Sequence, residues 1–187
     1  MKFKITFIVI IFGFTSLIAQ DVSDKRTDLG VSVQLYPAGI IPTVNLEYYL
    51  EENASLLFRL GLNIVDRQDF SDFNFTEEGT GFGGSVGYRR HFPSGKGKFI
   101  AGLNIDIWSL TIDWTDVGPA DGIVAGSTYT LVIQPWLEGG YFLPIKNTKS
   151  QIGLTLGFGR EINAITSGDE VEQGFIGSVS LQYSFRL

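Results

Sequence analysis

The end of the chain, Gly174–Leu187, reads GFIGSVSLQYSFRL and alternates between apolar and polar side chains up to the last residue. From Val179 onward every second position is apolar, and serine, glutamine or arginine stands between. Successive side chains of a β-strand point to opposite faces, so this alternation predicts a strand with one apolar and one polar face.

The same two-residue period recurs along the chain and predicts eight strands. They are Thr27–Tyr36, Thr43–Leu50, Ser55–Val65, Gly81–Phe92, Phe99–Trp114, Thr128–Leu143, Ser150–Arg160 and Gly174–Leu187. Short turns are predicted at Glu51–Ala54, Pro93–Lys98 and Pro144–Lys149, and long loops at Asp66–Thr80, Thr115–Ser127 and Glu161–Gln173. The first connection, Pro37–Pro42, lies on the same side of the predicted barrel as the long loops but is brief.

Alternating long and short connections favour an all-β fold, an eight-stranded antiparallel transmembrane up-and-down β-barrel with turns in the periplasm and loops outside. Outward aromatic side chains support two interfacial belts. The belt near the turns is Tyr48, Phe92, Phe99, Tyr141, Tyr183 and Phe185, and the belt near the loops is Phe82, Tyr129, Phe158 and Phe175. The competing interpretation is a secreted soluble sandwich or lipocalin-like barrel.

The chain begins with two lysines, a short apolar run and small residues up to Ala19, which is typical of a cleaved secretory signal peptide. An uncleaved anchor is the alternative. We therefore expect a signal at 1–19, a short periplasmic segment at 20–26 and the barrel at 27–187. The chain has no cysteine and a net charge of −6, which argue against disulfides and nucleic-acid binding.

The final run Gly177-x-x-x-Leu181-x-Tyr183-x-Phe185-x-Leu187 and the eight strands resemble the small bacterial outer-membrane β-barrel families of the OmpA barrel, OmpX and OmpW. The resemblance is one of pattern over nearly all of the mature chain. It implies residence in the outer membrane, contact with membrane lipid and lipopolysaccharide, assembly by the barrel-assembly machinery and a monomeric state. The peptidoglycan-binding domain of full-length OmpA is not expected.

Charged residues on the polar strand faces are expected inside the barrel. They are Glu47, Arg59, Arg89, Asp106, Glu138 and Arg186. A three-residue turn would set Glu47 directly opposite Arg59 as an ion pair, and Arg186 is expected near Asp28. These charges either fill the bore as a structural plug or form a gate whose pairs exchange, as the resemblance to the OmpA barrel allows.

The predicted loops are acidic, and their carboxylates are candidate contacts for a cation or a partner. They are Asp66, Asp69, Asp72, Glu77, Glu78, Asp169, Glu170 and Glu172. Their spacing matches no calcium-loop motif, so a solvated loop surface is the competing interpretation. Phenylalanines interleaved in the second loop either cover the barrel mouth or meet a partner. The alternation in the fifth strand slips near Ser109–Leu110, which indicates a bulge or the exit from the bilayer.

The one histidine, His91, lies near the Pro93–Lys98 turn, where Ser94 is the nearest hydroxyl and no orienting acid is evident. We expect a lipid-headgroup contact here and no catalytic, metal or cofactor site. The sequence thus predicts a non-enzymatic outer-membrane protein with a structural or surface-interaction role carried by acidic loops. Passive transport of ions or small apolar molecules is the alternative.

Overall fold

The computed structural model describes residues 26–68, 74–117 and 122–187, and in these ranges it contains nine β-strands. They are β1 (Thr27–Tyr36), β2 (Gly39–Glu51), β3 (Ala54–Gln68), β4 (Thr76–Ser94), β5 (Gly97–Val117), β6 (Ile123–Pro144), β7 (Ser150–Arg160), β8 (Ile162–Ser167) and β9 (Phe175–Arg186). No helix within these ranges is long and apolar enough to cross a membrane. The expected signal peptide and most of the expected periplasmic segment lie outside the described residues.

The strands form one antiparallel ring. Each pairs with the next from β1 to β7, and β9 pairs with both β7 and β1, which closes the ring. The short β8 continues β7 beyond Glu161, because both strands pair with β6. The pairing of β6 with β8 shifts register between Leu131 and Val132. The predicted all-β, eight-stranded antiparallel barrel is therefore confirmed.

The outward face of the ring carries the large apolar side chains. Leu60 is 73% exposed and Phe82 is 69% exposed, and valine, leucine and isoleucine surround them on every strand. The aromatic residues assigned to the two belts also lie on this outward face, each partly or well exposed. An apolar exterior this continuous is suited to hydrocarbon and not to water.

Several strands extend beyond their predicted ends. Residues 66–68 belong to β3 and residues 76–80 to β4, so the predicted loop Asp66–Thr80 is too long. Strands β5, β6 and β8 likewise occupy parts of the predicted loops Thr115–Ser127 and Glu161–Gln173. The added residues of β3 and β4 are polar or glycine on both faces, which hides these strand ends from a search for apolar alternation.

The first connection is shorter than predicted, since Tyr36 pairs with Gly39 and only Pro37 and Ala38 intervene. Pro42, which lacks a backbone N–H, stands where the pairing of β2 with β3 is interrupted, and it made this segment look like a loop. At the other end of the barrel Ser94 pairs with Gly97, leaving a two-residue turn. Gly95, with φ of 57°, takes the first turn position, where such hairpins favour glycine.

Strand β5 exchanges the character of its two faces without losing register. Its outward residues are apolar at alternate positions from Phe99 to Ile107 and then become Ser109, Thr111, Asp113 and Thr115. Its inward residues change in the opposite sense, from Asn104 and Asp106 to Trp108, Leu110, Ile112 and Trp114. Pairing with β4 and β6 is continuous through this point, which excludes the bulge and leaves the second of the two expected causes, the exit from the bilayer.

Candidate functional site

The interior of the barrel is the first candidate site. Its charged layer nearest the short turns surrounds Arg89. The Arg89 guanidinium donates through Nε and Nη2 to Glu138, with the Nη2–Oε2 distance at 3.2 Å. Its Nη1 lies 3.5 Å from Glu47 Oε2 and donates to Gln182 at 3.2 Å. Arg89 and Glu47 are each only 2% exposed, so one guanidinium holds two buried carboxylates together.

A second charged layer lies further from the turns and centres on Arg59. Its Nη2 lies 2.7 and 2.8 Å from the two carboxylate oxygens of Asp106, which is fully buried. Its Nη1 donates to Gln34 at 2.8 Å, and its Nε donates to Ser85 at 2.6 Å. Each of the three guanidinium nitrogens thus has an acceptor, which a charge in a narrow bore requires.

The predicted Glu47–Arg59 ion pair is wrong. Glu47 faces Leu57 across the β2–β3 pair, and Arg59 faces Asn45. The connecting turn contains two residues, since Glu51 pairs with Ala54, and the register shifts again between Tyr49 and Glu51. Together these changes displace Arg59 by two residues from the predicted partner, so the four lower charges separate into the Arg89 layer and the Arg59 layer.

An apolar layer fills the bore beyond Arg59. It comprises Tyr36, Ala38, Ile41, Val65, Trp108, Leu110, Ile112, Trp114, Val132, Trp136, Val171 and Ile176. Trp108 and Val132 have no exposed surface, and the Trp108 indole donates to Gln134 at 3.1 Å. Sequence reasoning missed this cluster, although the parity slip in β5 marks where it begins. Beyond the bilayer the chain therefore packs as a water-soluble protein does, with apolar residues inside.

Arg67 forms a third charged cluster near the loop end, and sequence reasoning missed it because Arg67 was placed in a loop. Its guanidinium lies 3.1 Å from Glu77, 3.3 Å from Glu161 and 3.6 Å from Glu172. Glu77 is fully buried in β4 and accepts from Asn74 at 2.8 Å. The prediction that Glu77 is a loop carboxylate is wrong, because inward parity in β4 carries it into the bore.

The other carboxylates predicted to lie in loops are found in different parts of the structure. Asp66 lies in β3 and Glu78 directly opposite it in β4, both exposed. Asp169 and Glu170 are exposed between β8 and β9, whereas Asp69 and Asp72 lie outside the described residues. Within the ranges that the structure describes, no three histidine, aspartate or glutamate side chains are arranged to hold a metal ion.

Arg186 and Asp28 are cross-strand neighbours, as expected, but they form no ion pair in the described structure. Arg26 instead donates to both oxygens of Asp28, with Nε–Oδ1 at 2.8 Å, and Arg186 remains exposed at the mouth. Burial disfavours the Arg26 charge, but the hydrogen bond to Asp28 and the charge interactions with Tyr49, Asp28 and Glu47 together outweigh it and raise the pKa of Arg26 above its ordinary value.

The predicted headgroup contact of His91 is wrong, because His91 faces the bore and is 4% exposed. Its Nε2 lies 2.8 Å from Ser55 Oγ and 3.2 Å from Glu47 Oε1, and its ring stacks on Tyr49 at 5.1 Å between centroids. Along β4, His91 and Arg89 point to the same inward face, whereas Arg90 between them points outward. The parity of the strand was enough to place it inside.

Solved structures similar to this one are outer-membrane proteins. A major outer membrane protein from Thermus thermophilus superposes with a TM-score of 0.59 at 11% identity, covering 87% of this chain and 99% of that one. This chain has the fold of a small outer-membrane β-barrel. That fold and the lipid-facing exterior both indicate the bacterial outer membrane.

Two further structures are similar to this barrel. Neisserial surface protein A has a TM-score of 0.49 at 10% identity, covering 87% of this chain and 96% of that one. Ail, the attachment invasion locus protein of Yersinia pestis, has a TM-score of 0.43 at 9% identity, covering 87% and 97%. No family model and no curated protein sequence matches the chain.

Proposed function

We propose that this barrel is a non-enzymatic protein that acts at the cell surface through its extracellular end. The observation that carries the proposal is the length of the β5–β6 hairpin, whose strands have 21 and 22 residues. A tilted strand needs only about 9–11 residues to cross the bilayer, so roughly half of this hairpin stands outside it. The outward polar residues of β5 beyond Trp108 fit a surface that faces water.

The end of the hairpin offers a surface for a partner. Val117 is 61% exposed and Ile123 is 84% exposed. Strand β6 pairs with β5 from Ile123, but its described pairing with β8 begins only at Tyr129. Residues 123–126 therefore present an unpaired backbone edge within the described structure. Such an edge accepts an extended peptide as an added strand.

Exposed carboxylates lie around the same end of the barrel. They include Asp66, Glu78, Asp113, Asp169 and Glu170. Glu77 and Glu172 contribute less to this surface, because Arg67 holds both of them. We therefore expect the partner to be an extended, basic peptide segment, attracted by the acidic surround and held by the strand edge. In the membrane we expect the chain to be monomeric, to contact lipopolysaccharide and to be inserted by the barrel-assembly machinery.

The test removes the end of the hairpin and leaves the barrel intact. Residues 116–124 are replaced by an Asn-Gly turn, and cells displaying either chain are titrated with basic peptides of high strand propensity. We expect at least tenfold weaker binding to the shortened chain, with unchanged heat-modifiable migration on gels. Equal binding to both chains, or equal binding of acidic peptides, would contradict the proposal.

The non-enzymatic part of the proposal is supported by the geometry of Ser55, His91 and Glu47. In a catalytic triad the acid orients one ring nitrogen while the other activates the serine. Here Ser55 and Glu47 share the same Nε2, and Ser55 Oγ itself donates to Glu47 at 2.6 Å. We expect no labelling of Ser55 by a fluorophosphonate probe in the folded barrel, and labelling that His91→Gln abolishes would overturn this expectation.

Passive conduction is the second candidate function, and one observation favours it. Arg89 contacts two carboxylates, Glu47 and Glu138, so its pairing can in principle shift from one to the other. Against conduction stands the filling of the bore, where the space between Arg59 and Glu138 is a void of about 10 Å³. An eight-stranded barrel is only wide enough to hold its own side chains.

A further inference from the structure

The turn end of the barrel contains a basic cavity that the proposed surface function does not use. Its volume is about 420 Å³, and it lies between the three turns and the two ends of the described barrel chain. Five cationic side chains line it, and Glu52 is the one carboxylate among its lining residues. The five are Arg26, Lys96, Lys98, Lys149 and Arg186.

Four of these five cations have no carboxylate partner in the described structure. Arg26 is held by Asp28, which leaves Arg186 without the ion pair that its register position suggested. Lys98 donates to the Tyr49 hydroxyl at 2.6 Å, and no ion pair is formed by Lys96, Lys149 or Arg186 with any described residue. The cavity therefore carries an excess of positive charge, which favours an anion.

His91 gives an independent indication of a ligand. It lines the cavity, it is 4% exposed, and its Nδ1 is buried without a hydrogen-bond partner in the part of the chain that the structure describes. The opposite ring nitrogen is fully engaged with Ser55 and Glu47. Buried polar groups nearly always have a partner, so this nitrogen is accounted for if a ligand or its water supplies one.

Tyr49 lies beside the cavity, in contact with three of its lining residues, His91, Arg26 and Lys98. The ring is 4% exposed and lies between the His91 ring and the Arg26 guanidinium, which is 4.2 Å from the ring centroid. Glu47 lies deeper in the bore, where it contacts both His91 and Arg89. The other buried carboxylate close to the cavity, Asp28, is paired with Arg26 and accepts a hydrogen bond from Gln151, so its charge is balanced.

We propose that this cavity binds an organic phosphate, with Lys98, Lys149 and Arg186 contacting the phosphate oxygens. Lysine and arginine are the usual phosphate-binding side chains, and the volume falls in the range of about 300–1,000 Å³ that small-molecule sites occupy. The phosphate ester is either the headgroup of a lipid in the periplasmic leaflet or a soluble metabolite. Both present the same chemistry to the cavity.

The test uses the chain purified from outer membranes in an uncharged maltoside detergent. Glycerol 3-phosphate is titrated calorimetrically into the intact chain and into a Lys98→Gln/Arg186→Gln variant, each checked for folding by heat-modifiable migration. We expect at least tenfold weaker binding to the variant and weaker binding of both at high salt. Lys146→Gln is the matched control, since Lys146 lies exposed in the Pro144–Lys149 turn outside the cavity lining, and we expect a change within twofold.

A second arm distinguishes the two sources of the phosphate. The chain is placed in nanodiscs of phosphatidylcholine alone or with added phosphatidylglycerol, and the glycerol 3-phosphate titration is repeated. Loss of binding in the second disc supports a lipid headgroup, and retained binding supports a soluble ester. The proposal is overturned if glycerol 3-phosphate does not bind, if glycerol binds equally well, or if Lys146→Gln weakens binding as much as the cavity variant.

Discussion

Arg59 and Arg90 lie on neighbouring strands in opposite environments, and their ion pairs should differ accordingly in strength. Arg59 holds the fully buried Asp106, whereas the Arg90 side chain is 48% exposed and lies 3.7 Å from Glu51. We expect Arg59→Gln to lower the free energy of unfolding by about 3–5 kcal/mol, since it leaves a buried carboxylate unpaired. Arg90→Gln should cost about 0–1 kcal/mol. Urea unfolding in lipid vesicles, followed by tryptophan fluorescence, measures both.

The double variant Arg59→Gln/Asp106→Asn identifies the cause of the Arg59→Gln loss. It should recover most of that loss, because the charge left behind is removed as well. If Arg59→Gln costs no more than Arg90→Gln, or if the double variant is no better than the single one, the buried pair is not what stabilises this layer.

The inward direction of these charges could be predicted from the sequence, but their partners could not. Parity alone carries Arg59, Arg89 and Asp106 into the bore, and it also carries His91 there. Partner choice depends on register, which the two-residue turn and the shift near Tyr49 move by two positions between β2 and β3. A slip of that size keeps each side chain on its face and changes only what it meets.

Substitutions at two outward positions of β5 can locate the edge of the bilayer. Leu103 and Thr111 are both outward and exposed, on either side of the exchange at Trp108. Leu103→Arg should cost about 2–4 kcal/mol of unfolding free energy, whereas Thr111→Arg should cost about 0–1 kcal/mol, because only the first lies in hydrocarbon. Vesicle unfolding in urea compares the two variants directly. Equal costs at the two positions would show that the boundary lies elsewhere.

The predicted strand ends failed for the same reason that β5 changes character. A search for apolar alternation detects a strand where its outer face contacts lipid. This search located all eight segments that cross the lipid. Beyond the bilayer the added residues of β3 and β4 are polar or glycine on both faces, with Arg67 and Glu77 inward, so these strand ends resemble loops in the sequence.

The whole molecule is a tube filled by layers in series, and this arrangement decides whether it conducts. The Arg89 layer, the Arg59 layer and the apolar layer around Trp108 each occupy the bore, so emptying one leaves the others in place. We expect no steady single-channel openings in planar bilayers from the intact chain, from Arg59→Ala or from Trp108→Ala, since the barrel is only as wide as its contents. A large porin recorded in the same bilayers serves as the positive control. Steady openings of the intact chain that Arg59→Ala enlarges or abolishes would favour transport over a surface role, because one layer would then control the entire path.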